Sequence, residues 1–275
     1  MLGTLKGLSA RQIQEKVSRR LIVKAKIFIN LFRSSKPDTR PVFVIGNGRS
    51  GTTMLINLFE RDFRLDVYGE NDPNIANNYL LDFDKVAATI ERSKSRVMVA
   101  KPLLNTFDVM RLLNDYNDSK VVWMLRSYKD MISSAKKSFG DRLPGYMHDL
   151  VVHGSGDNFL SKGMPPITLQ RLRKLDCSGF SELDWIALAW WSVNVTAVDN
   201  NLNHDSRVLL VRYDLIVPAP EKYLKKISHF MGLEYLPRLG GYINARSVGK
   251  GADVALSPVV DKMCSELYDE LKAKF

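Results

Sequence analysis

Residues 42–53 read Val42-Phe43-Val44-Ile45-Gly46-Asn47-Gly48-Arg49-Ser50-Gly51-Thr52-Thr53. The apolar run Val42 to Ile45 predicts a strand that stops at Gly46. A helical pattern begins after Gly51, with Thr52, Thr53, Met54, Leu55, Ile56, Leu58 and Phe59. Strand, glycine-bearing loop and helix N-terminus, in that order, make an anion cradle. The loop amides converge on an oxyanion, and the helix dipole adds about half a positive charge at the same point. A tight turn that binds nothing does not need the glycines, paired threonines and arginine found here.

The spacing Gly46-x4-Gly51 matches the P-loop of nucleotide triphosphatases and departs from it at one place. Those proteins carry Lys after the second glycine, where the amine reaches the outer phosphates. Here that position is Thr52, and the cation is Arg49, inside the loop. Such enzymes also hold Mg2+ with an Asp after a second apolar strand. The matching run, Val121 to Leu125, ends in Arg126. A basic residue at the place of a metal-binding acid points to a second anion instead of a metal. A P-loop nucleotide kinase or hydrolase is therefore the alternative reading, beside a nucleotide-binding protein that has the fold without turnover.

Gly46 to Thr53 resembles the 5′-phosphosulfate loop of sulfotransferases. These enzymes move a sulfuryl group from 3′-phosphoadenosine 5′-phosphosulfate (PAPS) to an acceptor and release PAP. Their loop reads Gly-x-x-(Lys/Arg)-Ser-Gly-Thr-(Thr/Ser), and every fixed position is present. The family's 3′-phosphate motif is a strand followed by Arg, then Asp four residues on, then Ser four further. Arg126, Asp130 and Ser134 match it directly after Val121–Leu125. A third segment, Val208 to Leu215, is similar to the strand-plus-Arg-Tyr-(Glu)-Asp-Leu stretch late in these chains. The resemblance covers about residues 41–250. Many soluble members carry Lys at the position of Arg49 and Trp at that of Met54; an Arg in the loop is closer to the carbohydrate-directed and bacterial branches.

The resemblance implies PAPS as donor, PAP as co-product and no metal. It implies that Gly48, Arg49, Ser50, Gly51, Thr52 and Thr53 hold the 5′ end, and that Arg126 and Ser134 hold the 3′-phosphate, with Asp130 orienting Arg126. A late glycine-bearing loop closes over the nucleotide in the family. Ser247, Gly249 and Lys250 could form it, or belong to a plain surface loop.

Strand patterns at 42–46, 64–68, 96–100, 120–125 and 207–212 alternate with helical patterns at 52–62, 103–117, 128–138, 181–203, 219–231 and 258–273. The expected fold is α/β, a three-layer sandwich with a central parallel sheet of about five strands, P-loop-like. Ligands of such sheets bind beyond the carboxyl ends of the strands. Arg49, Glu70, Lys101, Arg126 and Arg212 all fall at or just past predicted strand ends, so the five should share one edge. Glu70, in Gly69-Glu70-Asn71-Asp72-Pro73, is the expected base for the acceptor hydroxyl, as in carbohydrate-type members. The alternatives are that Glu70 caps a following helix, or that Asp72, His148 or His153 serves instead. Lys101 either steadies the sulfate or forms a salt bridge. Residues 139–179, rich in Gly and Pro with little periodicity, read as a lid or acceptor-binding insertion. Trp185, Trp190 and Trp191, at helical spacing, read as core. The expected acceptor is a sugar hydroxyl, on a glycolipid if the chain meets a membrane, with a lipid alcohol or other small metabolite also open.

The chain has 275 residues, 45% of them apolar and 25% charged, a globular composition. Cys177 and Cys264 give no disulfide framework, which fits a reducing compartment and a cytoplasmic location. Four histidines do not cluster in sequence, and no metal is expected. The net charge of +10 is uneven: residues 1–40 hold ten basic and two acidic side chains, leaving 30 basic and 28 acidic elsewhere. Residues 1–40 thus form a basic helical arm ahead of a domain at 41–275. Within it, 11–32 has helical periodicity, with Ile13, Val17, Leu21 and Phe28 near one face. Lys24 and Lys26 interrupt it too early for a signal peptide, and it is too charged to span a bilayer. It reads as a helix packed on the domain or as an interfacial helix on an anionic inner membrane face. Aromatic residues are too few there for nucleic-acid binding to be expected. Oligomeric state is not written in the sequence.

Overall fold

The strand Arg40–Gly46 (β1) is buried along almost its whole length, and a strand buried on both faces needs helices above and below. In the computed structural model, which describes residues 21, 25, 38–154, 156, 158–243, 249–251 and 253–274, those helices are present. β1 is joined by Leu65–Tyr68 (β2), Val97–Ala100 (β3), Lys120–Leu125 (β4) and Val208–Arg212 (β5). All pairs are parallel, in the order β2-β3-β1-β4-β5. The predicted five-stranded parallel sheet is therefore the observed one. The registers Ile45↔Trp123, Leu125↔Arg212 and Tyr68↔Ala100 bring the carboxyl ends of the strands to one edge.

Alternation along the strands sorts the core into two layers. Phe43, Ile45, Val121, Trp123 and Leu125 pack with Tyr128–Phe139 (α4), Glu182–Asp199 (α8) and Pro258–Ala273 (α11). Val42, Val44, Val122 and Met124 pack on the opposite face with Thr52–Phe59 (α1) and Pro220–Phe230 (α10). Ser181 caps α8 through Asp184, whose other carboxylate oxygen accepts from the Ser257 amide at 2.8 Å and so fixes where α11 starts.

Several elements differ from expectation. A helix at Phe83–Arg92 (α2) was not expected; Asp82 caps it by accepting from the Lys85 amide, and Val86 and Thr89 face inward. The helix expected at 103–117 is a 3-10 turn over Leu103–Asp108 and a short helix, Val109–Asn114 (α3). It breaks at Asn105, which leaves helical angles and gives its side chain to the Leu81 amide and to Asp108. The helix expected at 181–203 ends at Asp199 because Asn201 turns left-handed, φ 52°. The stretch 139–179 is not irregular: it holds Arg142–His148 (α5), a π-helical turn at Asp149–His153, Phe159–Gly163 (α6) and Pro166–Leu172 (α7). Its prolines sit in first turns, where a missing N–H costs nothing. Of the expected helix 11–32, only Leu21 and Ala25 lie within the described residues, and both are helical. Among the described residues no helix is long and apolar enough to cross a membrane.

Two glycines set the path of the chain out of β1. A Cβ on Gly46 would stand 2.4 Å from the Met124 carbonyl oxygen, and one on Gly51 would stand 2.3 Å from the Tyr213 ring; both have positive φ, 132° and 96°. Replacing Gly51 by Ala is expected to cost about 3 kcal/mol or more, through steric conflict and a forbidden backbone region together. Urea unfolding of Gly51→Ala checks this, and a loss below 1 kcal/mol would show that the ring and turn can move apart.

Candidate active site

The loop between β1 and α1 is held from behind. Asn47 is 6% exposed; its amide donates to the Ala189 carbonyl at 3.3 Å, and its carbonyl oxygen accepts from Asn194 at 2.5 Å. The Asn194 oxygen in turn accepts from the Trp123 indole at 3.2 Å. A satisfied buried network of this kind rigidifies what it touches. Trp190 donates from its indole to the Arg126 carbonyl at 3.1 Å and is fully buried. The tryptophans of α8 are thus core, as expected, and one of them fixes the backbone of a candidate site residue.

In front of this support the loop is wound for its amides. Arg49 is left-handed at φ 70°, the Ser50 amide closes a turn on the Asn47 carbonyl at 3.1 Å, and Gly51 starts α1. The Ser50 hydroxyl is buried and has no hydrogen-bond partner among the described residues. An unmatched buried hydroxyl is costly, and an oxyanion seated in the loop would satisfy it.

Two cations lie against the loop. Arg126, 4% exposed, donates to the Arg49 carbonyl at 2.9 Å, and its guanidinium stands 4.9 Å over the Tyr213 ring. Burial pushes the Arg126 guanidinium below its ordinary pKa; Asp130 and Tyr213 raise it again, and the Arg49 charge lowers it. The group stays protonated, so it is a buried charge that a nearby anion would stabilise. Arg49 itself reaches along the edge and donates to the Ser134 hydroxyl at 3.1 Å. Arg49 therefore links the other two, giving its guanidinium to Ser134 and its carbonyl to Arg126.

Asp130 does more than orient Arg126. Its carboxylate is 3.9 Å from that guanidinium, and it accepts from the amides of Gly249 and Gly251 at 2.9 and 2.8 Å. A Cβ on Gly251 would overlap the Lys129 carbonyl carbon at 2.3 Å, so only glycine lets the late loop lie this close to α4. Gly249 and Lys250 are exposed beside this anchor, and Ser247 lies outside the described residues.

On the other side of the loop Lys101, 5% exposed, pairs with Glu70 at 2.7 Å and donates to the Thr53 hydroxyl at 2.8 Å. Of the two readings for Lys101, the salt bridge is present, and it also ties Glu70 to the N-terminus of α1. Asp72 is committed to its own turn, accepting from the Asn74 amide at 3.0 Å, and no helix follows Pro73 for Glu70 to cap, since the chain runs into the short antiparallel pair Ala76–Asn77 and Leu80–Leu81. Arg212, the fifth of the expected edge residues, is held in an ion pair, and its partner Asp214 is near enough to Arg126 to raise the Arg126 pKa. Asp214 engages its guanidinium, which lies 5.7 Å over Tyr268, and no contact among the described residues joins it to Arg49 or Arg126. The residue that does reach the site from β5 is its neighbour, Tyr213.

His148 and His153 come together after all. Four residues separate them, the π turn Asp149–His153 brings the two rings to one side, and with Asp149 their ligand atoms lie within 4.8 Å of one another. The group is at the surface, with the His148 ring edge-on to Trp185.

A cavity of about 550 Å3 opens against Gly46, Asn47 and Gly48. Leu103, Leu104, Met131, Phe139, Leu143 and Val193 form much of its wall. Tyr79, Arg142 and Tyr146, all exposed, stand where it meets solvent. None of these residues was singled out from the sequence: they come from five separate elements, and each alone reads as ordinary core or surface.

The parallel sheet with its glycine loop at the switch in strand order is the sulfotransferase fold. Among solved structures, the sulfotransferase domain from the curacin biosynthetic pathway matches over 85% of this chain and 99% of its own, with a TM-score of 0.55 and 14% identity. The sulfotransferase domain of the Synechococcus PCC 7002 olefin synthase matches over 87% and 96%, at TM-score 0.49 and 12% identity. The sulfotransferase from Alicyclobacillus acidocaldarius matches over 87% and 94%, at TM-score 0.47 and 14% identity. The likeness is one of fold. No protein-family model matches the sequence, and no curated protein does.

Asp130→Ala should release the late loop while leaving the sheet intact. Amide hydrogen exchange at Gly249 and Gly251 is expected to speed up at least tenfold, the loss of about 1.5 kcal/mol or more from a charged hydrogen bond. Unchanged protection at both amides would mean that the loop is held elsewhere.

Proposed function

We propose that this protein is a PAPS-dependent sulfotransferase acting on an acceptor hydroxyl. The observation that carries the reading is the cluster of Arg49, Arg126 and Ser134, joined through Arg49, beside a loop whose Ser50 hydroxyl is buried without a partner among the described residues. A nucleotide with one oxyanion at its 5′ end and another on its 3′ oxygen matches two cations and a set of converging amides. The loop amides of residues 50–53 would take the 5′ end, with Arg49 and the hydroxyls of Thr52 and Thr53. Arg126 and Ser134 would take the 3′-phosphate, and Gly249 and Lys250 would close over it from the anchor at Asp130.

Arg49 and Ser134 were assigned to different oxyanions, yet they are hydrogen-bonded to each other. On donor binding Arg49 swings from Ser134 to the 5′ end, and the serine is freed for the 3′-phosphate. In the transfer, the acceptor oxygen forms its bond to sulfur as the bond from sulfur to the bridging oxygen breaks, in line. Glu70 takes the hydroxyl proton, with Lys101, itself anchored on the Thr53 hydroxyl, holding its carboxylate in place. Negative charge grows on the leaving 5′-phosphate, where Arg49 and the amides are already aimed; one such donor is worth roughly 3–4 kcal/mol. Positioning and charge stabilisation are what this site supplies. The lack of a disulfide framework supports a cytoplasmic location, and the charge of residues 1–40 supports a contact of 11–32 with an anionic membrane face.

Isothermal titration separates this from the kinase or hydrolase alternative: PAP should bind, and ATP with Mg2+ should bind far more weakly. Binding of ATP-Mg alone would overturn the assignment. Arg126→Ala should weaken PAP by about 30- to 100-fold and adenosine 5′-phosphate at least tenfold less than that, because the bond to the Arg49 carbonyl is lost for both nucleotides and the charge-assisted bonds to the 3′-phosphate for PAP alone. Equal losses for the two nucleotides would mean that Arg126 does not hold that phosphate.

A further inference from the structure

The cavity beside Gly48 carries information about the acceptor that the loop does not. Its inner wall is hydrocarbon: Met131 and Leu160 are 1% exposed, Val193 is 6% exposed, and Leu103, Leu104 and Leu143 complete it. It reaches the reacting loop directly, since a Cβ placed on Gly48 would lie 3.6 Å from the Phe139 ring. The other wall of the approach is short as well, for Leu103 follows Lys101 by two residues, and Lys101 holds Glu70.

Polar groups are scarce inside. The Asn47 side chain already serves Ala189 and Asn194. Tyr79 and Tyr146 are 48% and 40% exposed, and Arg142 is exposed with them, so all three belong to the rim. A sugar seated here would bring several hydroxyls against leucine, methionine and phenylalanine, and each hydroxyl left without a partner carries a desolvation penalty. A hydrocarbon body with one hydroxyl at its inner end carries no such penalty.

We infer that the acceptor is an apolar alcohol, whose hydroxyl meets the loop at Gly48 and whose hydrocarbon body fills the cavity out to the Tyr79–Arg142–Tyr146 rim. This sets aside the sugar acceptor expected from the loop arginine, the Glu70 base and the 139–179 insertion, in favour of the alcohol class left open beside it. It rests on the sulfotransferase reading for the identity of the transferred group, but the cavity's preference can be measured without the donor.

The test uses the full-length chain and 1-butanol, 1-hexanol, 1-octanol and 1-decanol as ligands, with methyl β-galactoside and methyl β-glucoside beside them, each titrated with and without saturating PAP. Affinity should rise about threefold to fourfold per added methylene until the cavity is full, and the glycosides should not compete. Leu104→Asp and Val193→Trp, one adding charge and one filling space, should each lower octanol affinity at least tenfold, with PAP affinity within twofold as the check on folding. A flat response to chain length, or a glycoside that binds more tightly than hexanol, would overturn the inference. PAP binding without the chain-length ladder would sink the acceptor class and spare the donor reading; the ladder without PAP binding would do the reverse.

Discussion

Arg126 donates to the carbonyl of Arg49, and this one bond ties the glycine loop after β1 to the carboxyl end of β4. The rest of the candidate site is arranged around it. Trp190 fixes the Arg126 backbone from below, Tyr213 lies beneath its guanidinium, and Asp130 balances its charge from the side. The same Tyr213 ring lies so close to Gly51 that no side chain fits there. Loop shape and cation placement are therefore one constraint. A change that moves the Tyr213 ring would alter both where the loop amides point and where the Arg126 charge sits.

The charges near the loop do not cancel. Arg49, Arg126 and Lys101 face Glu70 and Asp130, and Asp130 also spends its oxygens on the Gly249 and Gly251 amides. The excess is positive, it lies at the helix N-terminus of α1, and much of it is buried, where an electrostatic interaction is stronger than in water. Such a place stabilises a ligand with separated negative charges. The apolar cavity on the far side of Gly48 favours the opposite kind of molecule. A site with one charged half and one hydrocarbon half, divided by a loop, suits a reaction between an anionic donor and an uncharged acceptor.

Much of this could be read from the chain. Val42–Ile45 and Val121–Leu125 are apolar at every position, which marks strands buried on both faces, and Gly46 to Thr53 fixes the loop and helix between them. Arg49, Glu70, Lys101, Arg126 and Arg212 fall at or just past the ends of apolar runs, which assigns them to one edge, and Ser134 follows from the motif after Val121–Leu125. What escaped depends on tertiary contact. Nothing local says that Arg212 would be engaged by Asp214 while Tyr213 packs on Gly51. The hold of Asp130 on two glycine amides more than a hundred residues away leaves no periodic trace, and neither does a cavity drawn from five elements. The π turn at Asp149–His153 defeats a search at 3.6-residue spacing. By contrast, α2 had its signals in place: Asp82 as cap, then Phe83, Val86 and Ile90 at helical spacing.

A crystal structure of the protein with PAP tests the central claim most directly. The account predicts the 5′-phosphate within hydrogen-bond distance of the amides of residues 50–53, the 3′-phosphate on Arg126 and Ser134, and Arg49 turned from Ser134 toward the 5′ end. PAP bound away from Arg49 and Arg126, or lying beside them with its 3′-phosphate in solvent, would contradict it.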